Sequence, residues 1–212
     1  MRESMARWLA LGGIVGPLLF TVVVVIAALL RPGYDHISSF ISALGADGTP
    51  RAALMNFGAF IPAGLLLMDF GAGLMLGLPD DRVVKVASVL AMMFGLGIAA
   101  SGFISCDAGC PNDGSLENTV HNAIAPVSFI GMIAAIAMLG VRFRRWPEWR
   151  GLSVYSVITS VLAFAFLAAL VSTLESRVRT GLWQRLMLAA LFTWCVVVGT
   201  RLFRARRPAA WS

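Results

Sequence analysis

The sequence predicts an all-α membrane protein: a six-helix transmembrane bundle, with a short amphipathic outer-face helix after the first span. Three observations lead there. Of the 212 residues, 58% are hydrophobic and only 13% are charged, against about 45–50% and about 25% in soluble domains. One water-soluble globule of this size cannot hide that much apolar side chain. The apolar residues also fall into long runs bounded by Pro, Gly or charge, with none of the short alternating strands of an outer-membrane barrel.

A spanning helix needs about 20 mostly apolar residues. Six runs qualify: Trp8–Leu30, Ala52–Leu78, Val83–Ile104, Thr119–Val141, Leu152–Leu174 and Leu182–Phe203. Each must be helical, because lipid offers no partner to an exposed backbone amide. The first run is 23 residues long, and Arg31-Pro32-Gly33 follows it in place of a small-residue cleavage site. It therefore reads as a retained span and not as a signal peptide. Residues 1–7 form a short N-terminus, 8–203 the six-span domain and 204–212 a basic tail. Small residues at helix-packing spacing, such as Gly12 with Gly16 and Gly73 with Gly77, let neighbouring helices approach closely.

The net charge of +6 does not indicate nucleic acid, because the basic residues flank the apolar runs. They read as topology signals, with membrane lipids as the electrostatic partner. Twelve Lys and Arg fall on the side of the two termini and five on the other. That bias predicts a multi-pass protein of the plasma (inner) membrane with both termini cytoplasmic. The first, third and fifth loops then face outward.

Those outward loops hold nearly all the unusual residues. In the first, Ile37, Phe40, Ile41 and Leu44 follow helical spacing, Asp35 can cap the start and Gly45 can end it. Ser38, Ser39 and Ser42 share the opposite face. The predicted helix either turns its serines to water or acts as a lid whose polar face covers a pocket. In the third loop, Cys106 and Cys110 lie on the oxidising side, so a disulfide staple is expected. Cys195 sits alone in the sixth run, where packing is its expected role.

The chain has two histidines, His36 and His121, predicted at one depth on one side with Asp107 beside them. Glu175 and Arg185 stand at the outer ends of the last two runs. Three chemistries fit. His36, Asp107 and His121 could hold a divalent metal such as zinc with an open position. Ser42 or Ser39 could be a nucleophile, with His121 its base and Asp107 the orienting acid, although no G-x-S-x-G elbow marks the serine. Or the histidines only bind or sense. Asp69, deep in the second run, is either held inside the bundle or part of a proton or ion relay. The leading expectation is a membrane-embedded hydrolase acting on a lipid-like substrate, with His36, Asp107 and His121 central and Ser42, Ser39 and Glu175 nearby. A small-molecule or ion transporter, or a non-catalytic sensor or assembly subunit, is the alternative.

The stretch from Pro32-Gly33-Tyr34 to Ile41-Ser42-Ala43-Leu44-Gly45, followed by Asn56 and Gly64, resembles the bacterial membrane family termed domain of unknown function 998. The Cys106-Asp107-Ala108-Gly109 turn and His121 are similar to that family's third-loop pattern. The likeness covers roughly residues 8 to 203. The chain departs from the pattern at Ala43, where an acidic residue often stands. The resemblance implies a six-helix bundle and assigns no activity, so it carries over no catalytic residue.

Overall fold

The computed structural model describes residues 2–204. Six helices are long and apolar enough to cross a membrane: Arg2–Leu29, Ala52–Gly77, Arg82–Phe103, Leu116–Phe143, Arg150–Ser172 and Thr180–Arg204. We refer to them as the first to sixth spans. The basic tail anticipated from residue 204 onward lies, past Arg204, outside the described residues. Each span packs on its neighbour in sequence, and the sixth returns to the first. Aromatic contacts tie the ring together across its centre: Phe129 meets Phe94, Phe94 meets Phe192, and Phe192 meets Phe20. Trp194 is fully buried against Phe70 and donates to Ser156 Oγ at 2.9 Å, so its indole N–H is satisfied as a buried donor requires.

Glycine sets the closest approaches. A methyl group on Gly12 would collide with the Leu66 carbonyl, and one on Gly64 with the backbone of Ala99 and Gly95. The first, second and third spans therefore touch backbone to backbone. Within the second span, Asn56–Phe60 is wound as a π-helix just before Pro62. Proline has no N–H to give the preceding turn, and local π winding absorbs that loss.

The first loop corrects the expected helix. The helical part is a single 3-10 turn, Ser42–Leu44, and Ile37 is 45% exposed and not on a buried stripe. Asp35 closes only a turn, accepting from Ile37 N at 2.9 Å and Ser38 N at 3.2 Å, and caps no helix. The chain then leaves the helical path because side chains claim its backbone. Tyr34 Oη donates to the Phe40 carbonyl, Arg185 to the Ser39 carbonyl, and the Gln184 side-chain oxygen accepts from Ile41 N. The Ile41 N–H, a single donor, is then not free for the Ile37 carbonyl, which instead accepts from Leu182 N, so the i to i−4 ladder is broken there.

The basic end closes with shorter connections. Asp81 caps the third span by accepting from Val83 N and pairs with Arg142 of the fourth. Asp69 corrects another expectation. It lies on the exposed surface of the second span and not inside the bundle, so it borders none of the cavities described below.

Candidate site at the disulfide end

Polar side chains first fasten the loops of this end. Cys106 and Cys110 form a disulfide, both nearly fully buried. Asp107 accepts from Ser115 N at 2.8 Å and from Ser115 Oγ at 2.7 Å. These two bonds hold its carboxyl below the usual aspartate range. Asn118 accepts from Asp107 N and donates to the Pro111 carbonyl, to which Asn122 donates as well. Arg177 lies over the Phe40 ring at 4.9 Å and donates to the Cys110 carbonyl at 2.8 Å, joining all three loops. Asn56 donates to the Gly45 carbonyl and to Ser105 Oγ, tying the second span to the first and third loops.

Beneath this lacing lies a cavity of about 320 Å³ between the fourth, fifth and sixth spans. That is at the lower end of the range for small-molecule sites. Its head is polar: Ser42, Asn112, His121, Asn122 and Gln184. Its body is hydrocarbon: Phe129, Leu167, Leu170, Val171 and Leu174. Val171 is 56% exposed, so the wall on the fifth span continues to the outer surface of the bundle. A recess of about 40 Å³ behind His121, bordered by Ser101, Ser128 and Gln184, has room for a water molecule.

His121 is the most constrained group. The residue is 5% exposed, and Nδ1 lies 2.7 Å from the Ile104 carbonyl. A carbonyl only accepts, so Nδ1 carries the proton and, in the neutral ring, Nε2 keeps its lone pair. A buried imidazole with a fixed tautomer is the arrangement that a proton acceptor needs. Gln184 spends its side-chain oxygen on Ile41 N, which leaves its NH2 group for the cavity it lines.

The candidates named from sequence are thereby separated. Ser42 and His121 share the cavity, and the Ser42 hydroxyl is 3.4 Å from Cys110 Sγ. Asp107 is committed to Ser115 and is not the acid behind His121; the Ile104 carbonyl takes that place. His36 is exposed, packs edge-on to Tyr34 and borders a different groove. Ser39 engages Arg185 through its carbonyl, and Glu175 is exposed at the end of the fifth span. The set of His36, Asp107 and His121 does not form a metal site: among the described residues, no three of His, Cys, Asp and Glu gather as metal ligands. The fourth and sixth spans fix His121 and Arg185 near their starts, whereas His36 rides on a loop turned toward the first span. Sequence reading missed Gln184, Asn122 and the Ile104 carbonyl. The first two are amides close in sequence to the flagged Arg185 and His121, and a backbone carbonyl leaves no trace in sequence.

No curated protein and no solved structure matches the chain. A family model does match, over residues 14–201, which takes in all of the site and nearly all of the six spans. The chain belongs to the family described as "Protein of unknown function (DUF998)".

Proposed function

We propose that the protein binds a lipid-like amphiphile in the disulfide-end cavity and hydrolyses it, with His121 as the proton acceptor. One observation carries the reading: a buried imidazole of fixed tautomer stands at the polar head of a cavity whose body is hydrocarbon. An amphiphile fits that gradient, with its tail against Leu167, Leu170 and Leu174 and its polar link beside Ser42, His121 and Gln184. His121 Nε2 would take the proton of an attacking O–H as its oxygen bonds to the ester centre, then return it to the departing alcohol. Where the O–H is that of Ser42, the acyl or phosphoryl group passes to its oxygen and a water deprotonated by the same Nε2 then releases it; where the O–H is a water in the recess behind the ring, one displacement suffices. Asn122 and the Gln184 NH2 group are the amide donors nearest in chemistry to what a developing oxyanion requires.

The test uses purified protein in nanodiscs and a panel of fluorogenic fatty-acid esters and phosphodiesters. Wild type is expected to turn over at least one of them, and His121→Gln to lose at least about 100-fold while keeping its monodisperse, helical state. Ser42→Ala then separates the two nucleophiles: an equal loss names the serine and retained turnover names water. Turnover unchanged in His121→Gln would overturn the reading.

The same reading places the disulfide end outside the cytoplasm of a plasma membrane. Its support is the bias of twelve Lys and Arg against five. An impermeant thiol reagent applied to intact cells should label a cysteine at Asp113 and not one at Glu148. The reverse pattern would invert the orientation.

A further inference from the structure

A second concavity, of about 480 Å³, runs down the outside of the bundle between the first and sixth spans. Its walls are mostly apolar, with Pro17, Val24 and Val25 on one side and Leu188, Phe192 and Val196 on the other, and one threonine on each, Thr21 and Thr193. It opens outward: Leu18 and Val25 on its rim are 56% and 49% exposed. Measured along the sixth span, Arg185 to Val196 is a rise of roughly 16 Å at 1.5 Å per residue. That is about half of a 30 Å hydrocarbon core, the depth of one leaflet.

The mouth of the groove, at the disulfide end, is cationic. Arg185 and His36 border it. The Arg185 guanidinium donates through Nη1 to the Ser39 and Gly181 carbonyls and through Nη2 to Tyr34 Oη. All three acceptors are neutral, and Nε–H is left over. Arg31 lies over the same Tyr34 ring, 5.7 Å from its centre against 5.6 Å for Arg185, so two guanidinium groups crowd one phenol. Two carboxylate ion pairs, Lys85 with Asp80 and Arg142 with Asp81, lie at the other end. Asp35 is the carboxylate whose field reaches Arg185, and its oxygens are taken by the Ile37 and Ser38 amides. A leaflet-deep apolar groove thus ends at an arginine that Asp35 influences through its field but that no described carboxylate touches as an ion pair.

We propose that this groove is a binding site for an anionic phospholipid of the disulfide-end leaflet. One acyl chain lies between the first and sixth spans, and the phosphate sits on Arg185 with His36 beside it. Charge complementarity selects this occupant: a neutral apolar partner would leave the arginine unpaired, and a zwitterionic lipid would bring a second cation to the mouth. The site is separate from the His121 cavity, since Phe20, Ile41 and Leu188 stand between the groove and the recess behind that histidine.

Native mass spectrometry of the detergent-purified protein tests this with phosphatidylglycerol and phosphatidylcholine of the same chains. A surface cation is worth about 1 kcal/mol toward an anionic lipid, or roughly fivefold in affinity. Wild type should retain phosphatidylglycerol over phosphatidylcholine by about that factor. Arg185→Gln should bring the two to parity and Arg185→Lys should keep the preference. Arg185 also holds the first loop, so a second variant away from the loop is needed. Ala189→Trp, on the exposed part of the groove wall, should lose the retained lipid with the loops intact. His121→Gln should retain it as wild type does, which separates failure here from failure of the hydrolase reading. Parity of the two lipids in wild type, full retention in Ala189→Trp, displacement by millimolar inorganic phosphate, or a lipid-free dimer that Ala189→Trp disrupts would each overturn the proposal.

Discussion

The two ends of the bundle solve the same problem, closing six helices, in different ways. At the basic end the connections are short, and charge does the closing. Asp81 caps one span and pairs with Arg142 of the next, and Arg201 donates to the Glu148 carbonyl at 2.7 Å. Phe143 stacks on Trp149 beneath them. At the disulfide end the loops are long, and neutral amides and arginines bind backbone carbonyls across them. The difference teaches what a polar residue near a helix end is for. Long loops carry many backbone groups that must be paired, so most polar side chains there are consumed by fastening. Few remain to line the cavity, His121 and Ser42 among them. Counting polar residues at this end therefore overstates the site.

Charge closure should be the more fragile of the two. Asp81→Ala removes a cap and strands Arg142, whose Nε already lacks a partner. A lost cap costs about 1 kcal/mol, and a broken, mostly buried pair costs more. We expect a loss of about 3 kcal/mol in total, read as a lower thermal midpoint in detergent. The cavity at the opposite end should be undisturbed, so turnover per folded molecule should hold. A midpoint within error of wild type would mean that the ion pair is not what closes this end.

The disulfide should matter less. Cys106 and Cys110 are only four residues apart, and closing so short a loop removes little chain entropy, about 2 kcal/mol. The neighbouring Arg177 and Asn118 bonds remain in a Cys106→Ser/Cys110→Ser double variant. We expect a midpoint lowered by less than in Asp81→Ala, together with weaker ester binding, because Cys110 lines the cavity. A larger loss than in Asp81→Ala would reverse the ranking of the two ends.

The contrast also explains what the sequence made legible. Spans follow from composition, because a run such as Leu152–Leu174 has no other place to go. The six helices start and stop at charges, Pro and Gly that can be read directly, although the first span begins at Arg2, inside the polar segment. The pairing of Cys106 with Cys110 was legible from their four-residue spacing. The site was legible only in part. His121 and Ser42 stand out as polar residues in an apolar chain, but His121 is held by a backbone carbonyl, that of Ile104, and the cavity they share is completed by Gln184, an amide with no special spacing. The first-loop stripe misled, because helical periodicity cannot register that Tyr34, Gln184 and Arg185 claim the backbone of residues 39–41. Asp69 misled for the opposite reason: hydropathy gives depth along a span and not the face on which a residue lies.

The smallest expected effect concerns Asp107, and it separates fastening from chemistry most cleanly. Its carboxylate accepts from the Ser115 amide and hydroxyl, and those bonds lower its folded pKa. The unfolded carboxyl titrates near its reference value of about 3.9. A group depressed in the folded state contributes stability that is fully present above the unfolded pKa and is lost as pH falls through the folded one. The contribution of Asp107 should therefore be intact at neutral pH and disappear on acidification below about pH 4. Asp35 and Asp80 are shifted the same way, so wild type alone will show a composite slope. The difference between wild type and Asp107→Asn isolates the one residue. The variant's thermal midpoint should lie slightly below wild type at neutral pH, and the two curves should converge in acid. Parallel curves would show that the Ser115 bonds add no pH-dependent stability. Ester turnover gives the second readout. As a fastener, Asp107 can lose its charge with His121 still held by Ile104, so Asp107→Asn should keep most of its activity at neutral pH. If His121 relied on Asp107 as the acid of a triad, the same substitution would cost orders of magnitude in rate with little change in the thermal midpoint.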